Sequence, residues 1–304
     1  MSRILVTGAS GRIGRHVARR LRAQGHPLRL LARPEEAEGL FRSECDDVVA
    51  GDFNDPHWMS QAFDGVDAAF MYAPAPSASA AVFAAARACS VQRIVMLSSA
   101  SVVKAPPGPN PIAERHRIAE AAVKAAGFEF TFIRPDTMAS NCLQWARSIR
   151  EEGRVYTACP DSMRNPVHED DLALLAALAL ESNVHIGRAY FVTGPQVLRV
   201  RDQLDIIAEQ RGTAIGCICI EEEEAMTRSM QAQPGMSRLA AQRLLDYLKK
   251  SVTVRPDVSD EFLEATGRAP RPFVEWVRDH LNAFRSSTEV SDGTASPLMK
   301  RGVS

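Results

Sequence analysis

The chain has 304 residues, 45% of them hydrophobic and 24% charged, and its 36 basic and 37 acidic side chains leave a formal net charge of -1. That balance suits a globular protein with a substantial core and announces no basic face for nucleic acid or anionic lipid, which moves those partners down the list. Six scattered cysteines and seven histidines give neither a disulfide framework nor a metal-ligand spacing, and no stretch has the form of a signal peptide or a membrane span. The expectation is therefore a cytoplasmic protein with a small-molecule substrate and no metal, nucleic-acid or membrane partner.

Short β-branched runs at 4–7, 27–31, 47–50, 68–71, 93–97 and 128–133 read as strands. Amphipathic patterns at 14–24, 57–63, 77–90 and 112–126 lie between them and read as helices, with Gly25, Gly65 and Gly127 at C-terminal capping positions. Such alternation predicts an α/β fold, a Rossmann-like doubly wound parallel sheet over residues 1–155. Beyond it, 189–193 reads as one more strand returning to the sheet. Helical patterns at 171–181, 201–211, 222–231, 237–249, 257–266 and 272–284 make most of 156–284 a smaller, mainly helical C-terminal cap. Within it, Glu221 to Glu224 suit a solvated helix start, and Asp170 or Asp171 suits the N-cap of the helix after His168, itself a candidate pocket wall. Residues 285–304, rich in Ser, Thr and Gly, read as a disordered tail.

The first strand runs into Gly8-Ala9-Ser10-Gly11-Arg12-Ile13-Gly14, and a helix follows at once. At a first strand-to-helix turn this glycine spacing has a physical reading. Gly8 permits the tight turn, Gly11 lets backbone approach a pyrophosphate, and Gly14 lets the helix pack close to the sheet, with the helix N-terminus offered to the phosphates. Gly8, Ser10, Gly11, Arg12, Ile13 and Gly14 are thus the expected cofactor loop. The second strand is followed by Arg33, where enzymes selective for NAD carry an acid, so NADP(H) is expected over NAD(H), with Arg12 as a second candidate for the 2′-phosphate. Asp52 and Phe53 follow the third strand and suit the adenine; Ala73 and Pro74 follow the fourth and suit the ribose and nicotinamide.

These features together resemble the NmrA-like, atypical branch of the short-chain dehydrogenase/reductase superfamily, which binds NAD(P)H. The resemblance rests on the glycine loop, Gly51-Asp52, Ser98-Ser99, Ala119-Glu120, the run Thr131 to Pro135 with Asn141, the run Val167 to Asp171 and the run Thr266 to Arg271, and it covers about residues 3–284. One departure from the superfamily stands out. Its usual Tyr-x-x-x-Lys pair is absent: none of Tyr72, Tyr156, Tyr190 and Tyr247 has a lysine four residues on. With Glu120 aligned to the glutamate that commonly follows that lysine, His116 takes the lysine place and Ile112 the tyrosine place. His116 is then the candidate general acid, and Ser99, with Ser98 and Ser101 nearby, a candidate to orient a carbonyl. Related reductases that lack the tyrosine imply hydride transfer to a substrate that accommodates the charge itself. The expected function is an NADPH-dependent reductase of a small conjugated molecule such as a quinone, enone or imine. The rivals are an NADP(H)-sensing regulator without turnover and a non-redox cyclase, dehydratase or isomerase that retains the cofactor.

Overall fold

The computed structural model describes residues 3–37, 45–105, 109–233 and 235–286. In chain order its strands are β1 (Ile4–Thr7), β2 (Leu28–Ala32), β3 (Asp47–Ala50), β4 (Ala68–Tyr72), β5 (Arg93–Leu97), β6 (Glu129–Pro135), β7 (Thr137–Met138), β8 (Arg154–Thr157), β9 (Met163–Arg164), β10 (Pro166–Val167), β11 (Arg188–Val192), β12 (Leu198–Arg199) and β13 (Gly216–Cys219). The helices are α1 (Gly14–Ala23), α2 (Pro34–Ala37), α3 (Pro56–Phe63), α4 (Ser79–Ala88), α5 (Ser101–Lys104), α6 (Pro111–Ala125), α7 (Ala146–Glu152), α8 (Glu169–Glu181), α9 (Val200–Arg211), α10 (Glu222–Ala232), α11 (Arg238–Thr253), α12 (Glu261–Thr266), α13 (Phe273–Asp279) and α14 (Leu281–Phe284). None among the described residues is long and apolar enough to cross a membrane.

Seven strands form one sheet in the order β11-β6-β5-β4-β1-β2-β3, parallel at every pairing. β1 and β2 are buried at every position, as a parallel sheet covered on both faces requires. On one face α1 lays Val17, Ala18 and Leu21 over Ile4, Val6 and Phe70, joined by α8. The other face buries Leu5, Met71 and Phe132 under Met59, Phe83 and Val123. A third core lies in the C-terminal region, where Trp276 stacks on Phe273 at 5.5 Å and on His280 at 4.5 Å beside Ile149, Leu204 and Phe284. Each such side chain, fully buried, contributes about 1.5–3 kcal/mol. The strand order reverses between β1 and β4, and the crevice at their carboxyl ends is the place where open α/β sheets bind ligands.

The helix and strand pattern read from the sequence matches this architecture, with local differences. β6 runs to Pro135 rather than stopping at 133, because it continues pairing with β11 as far as Val192. The 272–284 helix divides at His280, which caps α13. The expectation that Asp170 or Asp171 caps α8 is corrected: His168 is the N-cap, its Nδ1 accepting the Asp170 N–H at 3.1 Å. Burial lowers the pKa of His168, which favours the neutral acceptor. Its 2% exposure makes it a structural residue rather than an open wall. Asp170 is thereby free to gather Arg20 (2.6 Å), Arg271 (2.6 Å) and His16 (3.2 Å), tying α1 and α8 to the segment before α13. Burial alone would raise its pKa, but these hydrogen bonds and charges outweigh it and hold the carboxyl below its usual range. The Glu221 to Glu224 run does begin α10, and Glu222 and Glu223 pair with Lys249 and Arg238 of α11. The expected disordered tail lies outside the described residues from 287 onward.

Candidate active site

The glycine loop lies at the switch point and is held by contacts that only hydrogen side chains allow. Gly8 has φ +60, and the Gly11 N–H donates to the Gly8 carbonyl at 2.9 Å. A Cβ on Gly14 would stand 2.2 Å from that same carbonyl oxygen, so α1 begins directly upon the loop. Tyr72, at the end of β4, lies against the loop from the other side. A Cβ on Gly8 would meet its ring at 2.6 Å, and its hydroxyl accepts the Gly14 N–H at 3.3 Å. The result is a tight turn that delivers the N-terminus of a ten-residue helix to the crevice, a cradle that fits a dinucleotide pyrophosphate.

The loop's side chains diverge. Arg12 reaches across the crevice to donate to the Ser140 carbonyl at 3.0 Å, on the β6 side and away from the β2 edge where a ribose 2′ group would lie. Arg33 stands at that edge, 65% exposed, paired with Glu36. Ser10 donates to the other oxygen of Glu36 at 2.5 Å. The structure adds an acid that the position after β2 does not hold: α2 brings Glu36 back to the loop. Hydrogen bonds from Arg33 and then Ser10 hold its carboxyl below the usual range. Asp52 is exposed and closes a turn by accepting the Asn54 N–H at 2.9 Å, while half-buried Phe53 packs on the core beneath. Gly51 before them admits Trp58, whose ring would stand 2.7 Å from a Cβ there.

Ala73 and Pro74 are buried at the end of β4, and the Ala73 carbonyl accepts two hydrogen bonds from Arg115 of α6, at 3.0 and 2.6 Å. The next residue on α6 is His116. Burial first, and then the Arg115 cation, push its pKa down to about 4 against the pull of Glu120, and its buried Nδ1 has no hydrogen-bond partner. A pKa this low favours the uncharged imidazole at neutral pH. The unfolded chain takes up this proton near pH 6.5 while the folded protein refuses it until about pH 4, so stability falls with pH across that window. Urea midpoints between pH 7 and pH 4.5 are expected to decline less steeply in His116→Gln than in the wild type; parallel declines would contradict the assignment.

One turn on, Glu120 is 4% exposed and holds two strands together. Ser98 Oγ donates to it at 2.6 Å, and Arg134 Nε and Nη2 donate at 2.9 and 2.5 Å. Ser99, half-buried, accepts from the N–H and hydroxyl of Ser101 at 3.2 and 2.9 Å. At the carboxyl end of β6, Asp136 pairs with Lys104 at 3.3 Å. Sequence reading singled out neither that pair nor Arg115. A cation three or four residues from an element's end gives no local sign of which carbonyl or carboxylate it will meet.

A family model described as NAD(P)H-binding matches residues 8–181, more than half of the chain and the whole span from glycine loop to α8. The chain belongs to the NAD(P)H-binding family. Its sequence landmarks resemble those of the NmrA-like, atypical short-chain dehydrogenases/reductases, and its fold is compatible with that resemblance. It is 36% identical over 284 residues to the (4-alkanoyl-5-oxo-2,5-dihydrofuran-3-yl)methyl phosphate reductase of Streptomyces griseus subsp. griseus, covering 92% of this chain and 99% of that protein. With the NAD(P)H azoreductase of Xenophilus azovorans it shares 29% over 290 residues, covering 92% and 99%. The triphenylmethane reductase of Citrobacter sp. has the same fold, with a TM-score of 0.76 at 23% identity over 93% of this chain and 100% of that one. The protein is an NAD(P)H-dependent oxidoreductase.

Proposed function

We propose that the protein is an NADPH-dependent reductase of a small conjugated acceptor, a quinone, enone, imine or similar molecule whose product charge is delocalised. The observation that carries this reading is the α6 helix. With Glu120 aligned to the superfamily's glutamate, Ile112 takes the place of its tyrosine and the neutral, half-buried His116 the place of its lysine. A site without that proton donor suits an acceptor that needs none at the moment of transfer. The names of the relatives agree in kind: one reduces a dihydrofuran ring bearing oxo and alkanoyl groups, another an azo compound.

When bound, NADPH supplies the hydride. The loop from Gly8 to Gly14 and the N-terminus of α1 would hold the pyrophosphate, Asp52 and Phe53 would flank the adenine, and Ala73 and Pro74 would line the nicotinamide side. His116 and Ser99 face the acceptor, which the C-terminal region shields from water. Purified protein is expected to oxidise NADPH above the blank with at least one member of a panel of quinones, enones, imines and conjugated aldehydes. Tight NADPH binding with no consumption across the panel would favour a cofactor sensor or a non-redox enzyme.

Selection between the two cofactors falls to Arg33 and Glu36. Arg33 offers charge-assisted hydrogen bonds to a 2′-phosphate. Glu36 competes for the same guanidinium. Arg33→Asp is expected to weaken NADPH binding far more than NADH binding, and Glu36→Gln to strengthen NADPH binding. Equal losses for both cofactors in Arg33→Asp, read by fluorescence titration, would sink the assignment.

A further inference from the structure

Among the described residues two arginines are equally buried, at 8% exposure, and only one is provided for. Arg29 donates to Asp47 at 2.8 Å and to the carbonyls of Gln61, Ala62 and Asp64. Arg164, on β9, has none of this. Its Nε is buried without a hydrogen-bond partner, and the groups whose charge reaches it are Cys142, Tyr247 and Cys159, with no carboxylate among them. Burial pushes the Cys142 thiol up to about 12 and raises Cys159 and Tyr247 as well, so all three are neutral at physiological pH. A guanidinium keeps its charge in such a place, and a buried charge without a counter-ion is costly to the fold.

Two further polar groups lack a partner, one close by in the chain and one on a helix packed against β9. The Ser162 hydroxyl, two residues earlier and 0% exposed, has no partner. Helix α11 packs on β9 and carries Tyr247, whose buried hydroxyl meets hydrogen-bond geometry with no described residue although Asp136 and Thr137 lie beside it. Asp136 is occupied by Lys104. The location is the acceptor end of the sheet: β10, directly after β9, pairs with β7, and β7 continues from the carboxyl end of β6.

We propose that Arg164 is the receptor for an oxyanion carried by the acceptor, a phosphate monoester or a carboxylate, with the Ser162 and Tyr247 hydroxyls as flanking donors. The assignment rests on the reductase reading for the site it serves, and it names the substrate class as anionic. A planar guanidinium offers an oxyanion two parallel hydrogen bonds, and the two hydroxyls add donors, that of Tyr247 shared with Asp136 beside it. The bound anion would supply the counter-charge that the protein itself withholds from Arg164.

The test measures binding and melting, so it needs no turnover and can fail or succeed independently of the reductase reading. Protein saturated with NADP⁺, which fills the cofactor's own phosphate contacts, is titrated calorimetrically with phenyl phosphate, benzoate and phenol. At least one of the two anions is expected to bind, the tighter one identifying the group, while phenol binds no better to wild type than to Arg164→Met. Arg164→Met is expected to weaken that anion by roughly tenfold to 150-fold, with Arg164→Lys intermediate. Without anion, Arg164→Met is expected to melt at or above the wild type, because an apolar side chain of similar volume replaces an unpaired cation. Equal anion affinity in the variant, or no anion binding to wild type, would overturn the proposal. A variant that melts far below wild type or fails to fold would overturn it too, by making Arg164 a structural residue.

Discussion

Gly14→Ala is expected to cost the protein its cofactor. The new Cβ would stand 2.2 Å from the Gly8 carbonyl oxygen, 2.7 Å from its carbon and 3.0 Å from the Thr7 oxygen, all backbone atoms with no side-chain rotation to relieve them. Either α1 or the loop must move, and the pyrophosphate cradle exists only while the two remain in contact. Forcing one extra carbon into a packed site costs about 1–3 kcal/mol. If that cost falls on the binding-competent loop, NADPH affinity drops by up to roughly 100-fold. Gly216→Ala is the control, since its Cβ would make ordinary contact at 3.4 Å with the Arg154 side chain on β8, remote from the loop. Isothermal titration with NADPH should separate the two variants while their far-ultraviolet circular dichroism stays alike. Unchanged affinity in Gly14→Ala would mean that the loop does not carry the cofactor.

Glu120→Ala is expected to be the most damaging single change outside that loop. It strands Arg134, whose side chain is 15% exposed, and removes the acceptor of the Ser98 hydroxyl. Breaking a buried ion pair by deleting one partner costs about 3–5 kcal/mol, most of it from the charge left behind. The loss should appear in urea unfolding at neutral pH. Because the triad joins the carboxyl ends of β5 and β6 to α6, turnover should fall with it, Ser99 and His116 both losing their support. Glu120→Gln keeps a hydrogen-bond acceptor and should lose less. A Glu120→Ala midpoint equal to wild type would show that water already serves Arg134.

The architecture was legible in the sequence because parallel strands buried on both faces read as continuous apolar runs, and because the crossover helices carry apolar residues at helical spacing with glycine at their ends. The cofactor loop was legible for a similar reason: its glycines are required by backbone contacts that leave a fixed local spacing. What could not be read was pairing at long range. Ser98, Glu120 and Arg134 were each visible as family landmarks, as were Asp170 and Arg271. Their spacing in the chain gives no sign that the first three form one buried triad or that the last two are joined at 2.6 Å. The His168 cap escaped notice because an aspartate is the commoner N-cap and two of them follow directly. Glu36 was missed because α2 turns back toward Ser10, which the run after Arg33 does not announce. Arg164 carries no local signal at all: only its burial, beside thiols and a phenol instead of acids, distinguishes it from the other arginines of an arginine-rich chain.

Hydride transfer from bound NADPH to a conjugated acceptor is the claim on which the functional account stands. NADPH deuterated at one or the other face of the nicotinamide C4 is incubated with the protein and the enone, imine or aldehyde that supports the fastest NADPH loss, acceptors that keep the transferred hydride in a non-exchanging C–H bond, and the product is weighed by mass spectrometry. One deuterium from one of the two labelled forms, and none from the other, is the expected result. Product without deuterium from either form, or NADPH tightly bound and left unconsumed by every acceptor, would contradict it.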